Sequence, residues 1–177
     1  FEVIQGRGGW AHFGSGEYAW DFAMSEGTPV VAAASGTVVE VIDHFETSTT
    51  DKTTPDTANV VVVDHGNARF SVYRHLQAHS AVVSEGDSVR RGDILARSGN
   101  TGLSLQPHLH FAVVNHLNRT LPVTFVDVPG GIPEVGERYT ALESYPTEGA
   151  VPSASSLPRD TFAGNGVVIQ DDVPAHL

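Results

Sequence analysis

His108 and His110 are separated by a single residue in the run Pro107-His108-Leu109-His110-Phe111. On a β-strand, residues i and i+2 project from the same face, so these two imidazoles share one site. One can hold a metal through a ring nitrogen while the other moves protons or hydrogen-bonds a substrate, the division of labour that a hydrolytic zinc site needs. The plainer reading, one packed and one solvated histidine, is the ordinary fate of a lone histidine. Here the pair follows the turn Gly99-Asn100-Thr101-Gly102 and Pro107, which fix the path of the chain into the strand.

Asp21 is the second candidate. It stands in Trp20-Asp21-Phe22-Ala23, where a carboxylate flanked by aromatic residues is half-buried and needs a hydrogen bond, an ion pair or a metal. His12, on the far side of Gly14-Ser15-Gly16, can fold back to share a metal with it, and Glu17 is the rival. His75 lies in Tyr73-Arg74-His75-Leu76, where strand alternation would put it on the face of Tyr73; a core or surface role is its default. His65, in Asp64-His65-Gly66-Asn67, reads as a turn or packing residue. His44, His79, His116 and His176 have no partner at a recognisable spacing, and Arg90 and Arg91 read as turn-exposed charges.

The elements that must position these groups are short and β throughout. Segments 30–34, 37–42, 60–64, 70–76, 94–97 and 109–114 are rich in valine, alternate or run apolar, and are bounded by turns such as Ser35-Gly36 and Arg91-Gly92-Asp93. No amphipathic helix stands out. The expected architecture is a single compact antiparallel β-sheet or sandwich domain over residues 1–138, with long loops. From 139 to 177 the composition turns to Pro, Ser, Gly and Ala, which reads as an irregular wrapping tail. Residues 44–58 form a polar insertion too long for a tight hairpin, either a lid over the site or a solvated excursion.

Composition removes several classes of function. The 177-residue chain carries a formal charge of −11, and its 10 Lys and Arg residues are scattered, so nucleic acid and a polybasic membrane patch are excluded as partners. No apolar run approaches the roughly 18–20 residues of a membrane span. With no cysteine, any metal must use His, Asp or Glu, a donor set that suits zinc when imidazole is present. The sequence opens at Phe1 instead of methionine, which fits a removed leader or a trimmed chain equally, and no signal sequence decides between them.

Taken together and in order, these residues resemble the lysostaphin-type zinc endopeptidases, which cut peptide cross-links in bacterial peptidoglycan. The resemblance runs over residues 12–114: a His then Asp element before Gly27-Thr28-Pro29-Val30, the segment bearing His75, the run from Gly86-Asp87-Ser88-Val89 to Gly92-Asp93, the Gly99-x-Thr101-Gly102 turn, and His108-Leu109-His110-Phe111. It implies a duplicated-hybrid-motif β fold and one Zn²⁺ per chain held by His12, Asp21 and His110. It implies His75 and His108 as the unliganded catalytic pair, a peptidoglycan peptide as substrate, a monomer, and an extracellular or periplasmic location. Three protein ligands leave the fourth position to water, as a catalytic zinc requires.

The chain departs from the family's usual form in three places. The first histidine commonly stands four residues before the aspartate, where this chain has Glu17, so the loop 11–18 would have to carry His12 further out. Gln106 and Ala112 replace the Gly and Glu that usually flank the histidine pair. Two rival functions remain. A silent wall-binding or hydrolase-activating relative would normally have lost ligands. A biotinyl or lipoyl carrier would need a hairpin lysine, and the only lysine, Lys52, lies in the polar insertion; a phosphocarrier would need two histidines but not the His12 and Asp21 pair.

Overall fold

The computed structural model of the chain describes residues 1–140, and it is β-built as expected. Strands β1 (Glu2–Gln5), β2 (Trp20–Ala23), β4 (Gly36–Ile42), β6 (Val60–Asp64), β7 (Phe70–Arg74), β8 (Ser88–Val89) and β11 (His108–Val114) make one seven-stranded sheet. Its order is β1-β2-β11-β7-β6-β4-β8, with every pairing antiparallel. Strands β3 (Pro29–Val31) and β9 (Ile94–Arg97) form a separate antiparallel ribbon, and β5 (Ser48–Thr49) pairs in parallel with β10 (Gly102–Leu103). Among the described residues the only helical piece is the 3₁₀ turn Gly14–Gly16.

The core lies between the large sheet and the β3–β9 ribbon. Val61, Val63, Tyr73, Phe22, Leu109 and Phe111 point inward from the sheet and meet Val30, Leu95 and Ala96 of the ribbon. Period-2 alternation is what sends these residues to one face. Phe111 is fully buried, 6.0 Å edge-on from Phe125, which also meets Trp20 at 5.7 Å. Burying one such ring contributes roughly 1.5–3 kcal/mol. The Tyr73 hydroxyl, deep in this layer, accepts the Ala33 N–H at 2.7 Å and lies 3.0 Å from the Ser71 hydroxyl. His65 spans the Ser35 carbonyl and the Ser71 hydroxyl, both at 2.8 Å, in keeping with a packing role.

The structure adds strands the sequence pattern did not single out, β1, β2, β5, β8 and β10, which are short and, in β2, mix a charge with aromatic residues. It also corrects one. The segment 70–76 is a strand only as far as Arg74, because His75 adopts φ +63°. A left-handed residue breaks the alternation, so the expected common face of His75 and Tyr73 does not exist. Tyr73 goes into the core and His75 turns to the Thr101 carbonyl. Tyr139, placed by sequence at the start of the tail, donates its N–H to the Phe1 carbonyl at 2.9 Å and packs its ring on Phe1. The rest of the tail, with His176 and the apolar Gly166-Val167-Val168-Ile169, lies beyond the described residues.

Candidate metal centre

β2 and β11 are neighbours, and their register pairs Asp21 with His110. Trp20 and Phe22 enter the core, so Asp21 must emerge on the opposite face, and His108 and His110 emerge there too while Leu109 and Phe111 stay inside. The result is a 2.8 Å contact between His110 Nδ1 and Asp21 Oδ1, with His108 Nε2 at 3.9 Å from the same oxygen. His12 joins them from the loop that follows β1. Its Nε2 lies 3.3 Å from Asp21 Oδ1 and its ring is 5.2 Å from that of His110. Asp21, His12 and His108 are all buried.

One donor atom from each of His12, Asp21 and His110 lies within 4.8 Å of the other two. A tetrahedral site with bonds of about 2.0–2.1 Å has donor separations of about 3.4 Å, close to the separations around Asp21 Oδ1. His12 Nε2 is buried and makes no hydrogen bond. An orphaned lone pair beside a carboxylate and a second imidazole is the arrangement a metal ion satisfies. The two-nitrogen, one-oxygen donor set fits a divalent metal of the zinc type. Glu17 stands apart, its carboxylate on Arg7 at 3.0 Å.

The tautomers are set by carbonyls, which only accept. His12 Nδ1 meets the Gly6 carbonyl at 3.1 Å, His75 Nδ1 the Thr101 carbonyl at 2.7 Å, and His108 Nδ1 the Gln106 carbonyl at 2.8 Å. Each Nδ1 therefore carries the proton, and each Nε2 keeps its lone pair for the site. The Ser104 hydroxyl supports His108 Nδ1 at 3.1 Å. His75 and His108 lie ring to ring, centroids 4.5 Å apart, beside the three-donor cluster.

Electrostatics follow from burial. Burial by itself would raise the Asp21 carboxyl, but the His110 and His12 imidazoles beside it prevail and hold it well below the usual carboxylate range. Burial, and then the neighbouring His108, push His75 down to about 3, against the pull of the Thr101 carbonyl. Burial also lowers His110, opposed by Asp21. Neutral imidazoles and an ionised carboxylate are the protonation states that metal binding requires.

Several positioning groups carried no local signal in the sequence. Gln5 donates from Nε2 to Asp21 Oδ2 at 2.9 Å and accepts the Ala11 N–H at 3.2 Å. Gly9 lets this amide lie flat beneath the loop, since a Cβ there would stand 2.4 Å from Gln5 Cγ. The insertion 44–58 touches both loops that border the site. Its β5 pairs with β10 just before His108, and Lys52 Nζ sits 5.5 Å from the Trp10 ring, near His12.

Three side chains that could hold a metal ion, with two further imidazoles alongside, thus share one face of a β-sheet. The chain belongs to peptidase family M23, whose model matches residues 15–122. Its relatives include a metalloprotease of Haemophilus influenzae, 37% identical over 62% of this chain and 21% of that protein, and the peptidoglycan DD-endopeptidase ShyA of Vibrio cholerae, 38% identical over 53% of this chain and 19% of that protein. The chain thus spans about a fifth of the length of these relatives. Among solved structures it resembles the catalytic domain of lysostaphin from Staphylococcus simulans, at TM-score 0.51 and 29% identity, covering 65% of this chain and 80% of that one. A zinc-containing peptidase from Vibrio cholerae superposes at TM-score 0.53 and 29% identity, covering 68% and 35%. The family model's match begins after Gln5 and His12. No helix among the described residues is long and apolar enough to cross a membrane.

Proposed function

We propose that this chain is a zinc-dependent endopeptidase that hydrolyses peptide cross-links of bacterial peptidoglycan. The observation that carries it is the convergence of His12, Asp21 and His110 on one point of the sheet face, beside the free pair His75 and His108. In this reading His12, Asp21 and His110 hold one zinc ion. Bound there, zinc would supply Lewis acidity, lowering the pKa of a water and polarising the scissile carbonyl. All five side chains come from one chain, so a monomer suffices, and such a substrate places its action outside the cytoplasmic membrane.

The chain's own groups then handle protons. His108 Nε2, on the Asp21 side of the pair, accepts a proton from the attacking water and returns it to the departing amine as the C–N bond breaks. His75 stays neutral at physiological pH, with its proton on Nδ1, so its Nε2 orients the water as a hydrogen-bond acceptor. That tautomer disfavours the alternative in which neutral His75 donates to the oxyanion. Relatives carrying the names peptidoglycan DD-endopeptidase and lysostaphin support the choice of substrate. A silent wall-binding module is not favoured, because all five polar residues are present and converge.

The test is metal content per chain with release of soluble fragments from purified peptidoglycan, for the parent protein, His12→Ala and Glu17→Ala. One zinc and fragment release, both lost with His12→Ala and kept with Glu17→Ala, is the expected result. A reconstituted protein that binds no zinc would overturn the reading.

A further inference from the structure

The register of the large sheet lays one row of side chains across its outer face. Asp21, His110, Arg74, Val60 and Ile42 are successive cross-strand partners on β2, β11, β7, β6 and β4. The first two belong to the metal centre. Past Arg74 the same face forms a groove of about 320 Å³, floored by Val60, Val62, Val72 and Val114 and bordered by Glu40 and Asp56. Directly paired residues on antiparallel strands have Cβ atoms about 4.5–5.5 Å apart. A peptide chain crossing His110 therefore meets Arg74 next and the valine floor after it.

Arg74 is the one cation of this row in a chain of net charge −11. Its side chain is 33% exposed and its guanidinium is paired with Asp56, a carboxylate 57% exposed on the 44–58 insertion. Burial depresses the Arg74 pKa and the Glu40 carboxylate opposes that. A partly desolvated guanidinium next to a reaction centre favours a planar two-oxygen partner, and Asp56 supplies one from a solvent-facing loop.

We propose that this groove binds the stretch of peptide substrate that carries a free carboxylate near the scissile bond, Arg74 pairing with that carboxylate in place of Asp56. The valine floor takes short aliphatic side chains, and Glu40 repels a carboxylate placed deeper. The proposal rests on the endopeptidase reading above and adds to it the substrate feature that this chain selects.

The experiment compares two peptidoglycan preparations, one unmodified and one with its carboxylates converted to amides, against the parent protein, Arg74→Gln and Asp56→Asn. Fragment release by zinc-loaded protein and co-sedimentation of metal-free protein are both read. General repulsion by the acidic chain would favour the amidated wall. The proposal expects the reverse for the parent, about a tenfold preference for the unmodified wall in both readouts, collapsing toward unity or inverting in Arg74→Gln. Asp56→Asn is expected to raise the preference for the unmodified over the amidated wall a few-fold. Equal losses on both walls in Arg74→Gln would overturn the proposal and leave a structural pair with Asp56. Absence of fragment release by the loaded parent would overturn the endopeptidase reading, and the co-sedimentation ratio would still decide the role of Arg74.

Discussion

Gln5 joins Asp21 to the backbone of Ala11: its Nε2 donates to Asp21 Oδ2 at 2.9 Å while its Oε1 accepts the Ala11 N–H at 3.2 Å. A single buried amide thus leaves Asp21 Oδ1 as the oxygen facing His12 and His110, and holds the loop that delivers His12. The long spacing between His12 and Asp21 closes through this side chain.

Gln5→Met keeps the volume and removes both hydrogen bonds. Partners that orient a metal ligand typically contribute about 10–100-fold in affinity, and that loss is expected here in a competition titration of zinc against a chromophoric chelator. A lower melting temperature of the metal-free protein with unchanged zinc affinity would show that Gln5 only packs.

His108 and His110 share a strand face and are expected to separate in function. His110→Ala should lose zinc, whereas His108→Ala should keep it and lose roughly 10²–10⁴-fold in turnover, the usual worth of general acid–base help. Metal analysis beside fragment release on the same samples checks this. Equal zinc loss in both variants would contradict the division of roles.

Asp127 predicts a pH dependence of stability unrelated to the site. It is 3% exposed, neither carboxyl oxygen has a hydrogen-bond partner, and burial pushes its pKa up from 3.8 to about 7. The folded state therefore holds a proton that the unfolded state has released, so stability present below pH 3.8 is lost progressively up to pH 7. Asp127→Asn should stabilise the protein by roughly 3 kcal/mol at pH 8 and little at pH 4, read from denaturant unfolding at the two pH values. Equal effects at both would show that the group does not titrate in this range.

Gly102 has φ +75°, and a Cβ there would stand 2.6 Å from the backbone of Ala58. Gly102→Ala has no low-energy response, since the obstacle is main chain, and should cost at least about 2 kcal/mol. The neighbouring Thr101 carbonyl anchors His75, so turnover should fall further than the loss of folded protein accounts for. Thermal unfolding and specific activity corrected for the folded fraction measure the two effects.

The parts legible in the sequence are those that short-range geometry fixes. Alternation along one strand sufficed to put His108 and His110 on a common face, and the aromatic neighbours of Asp21 sufficed to mark it as a carboxylate in need of partners. The valine-rich segments announced an antiparallel β protein, and the net charge and missing cysteines narrowed its chemistry. The tertiary structure decided what depends on distant segments meeting. Pairing of β2 with β11 brought Asp21 to His110, and the loop after β1 chose His12 over Glu17 as its neighbour. Alternation misplaced His75, because one left-handed residue cancels a rule that assumes an unbroken strand. Gln5, Thr101, Ser104 and the Gln106 carbonyl carry no local signature, since a hydrogen bond that orients a ligand is defined only once the sheet has closed. Arg74 acquired its place between the metal centre and the groove in the same way, through register across five strands that no local pattern specifies.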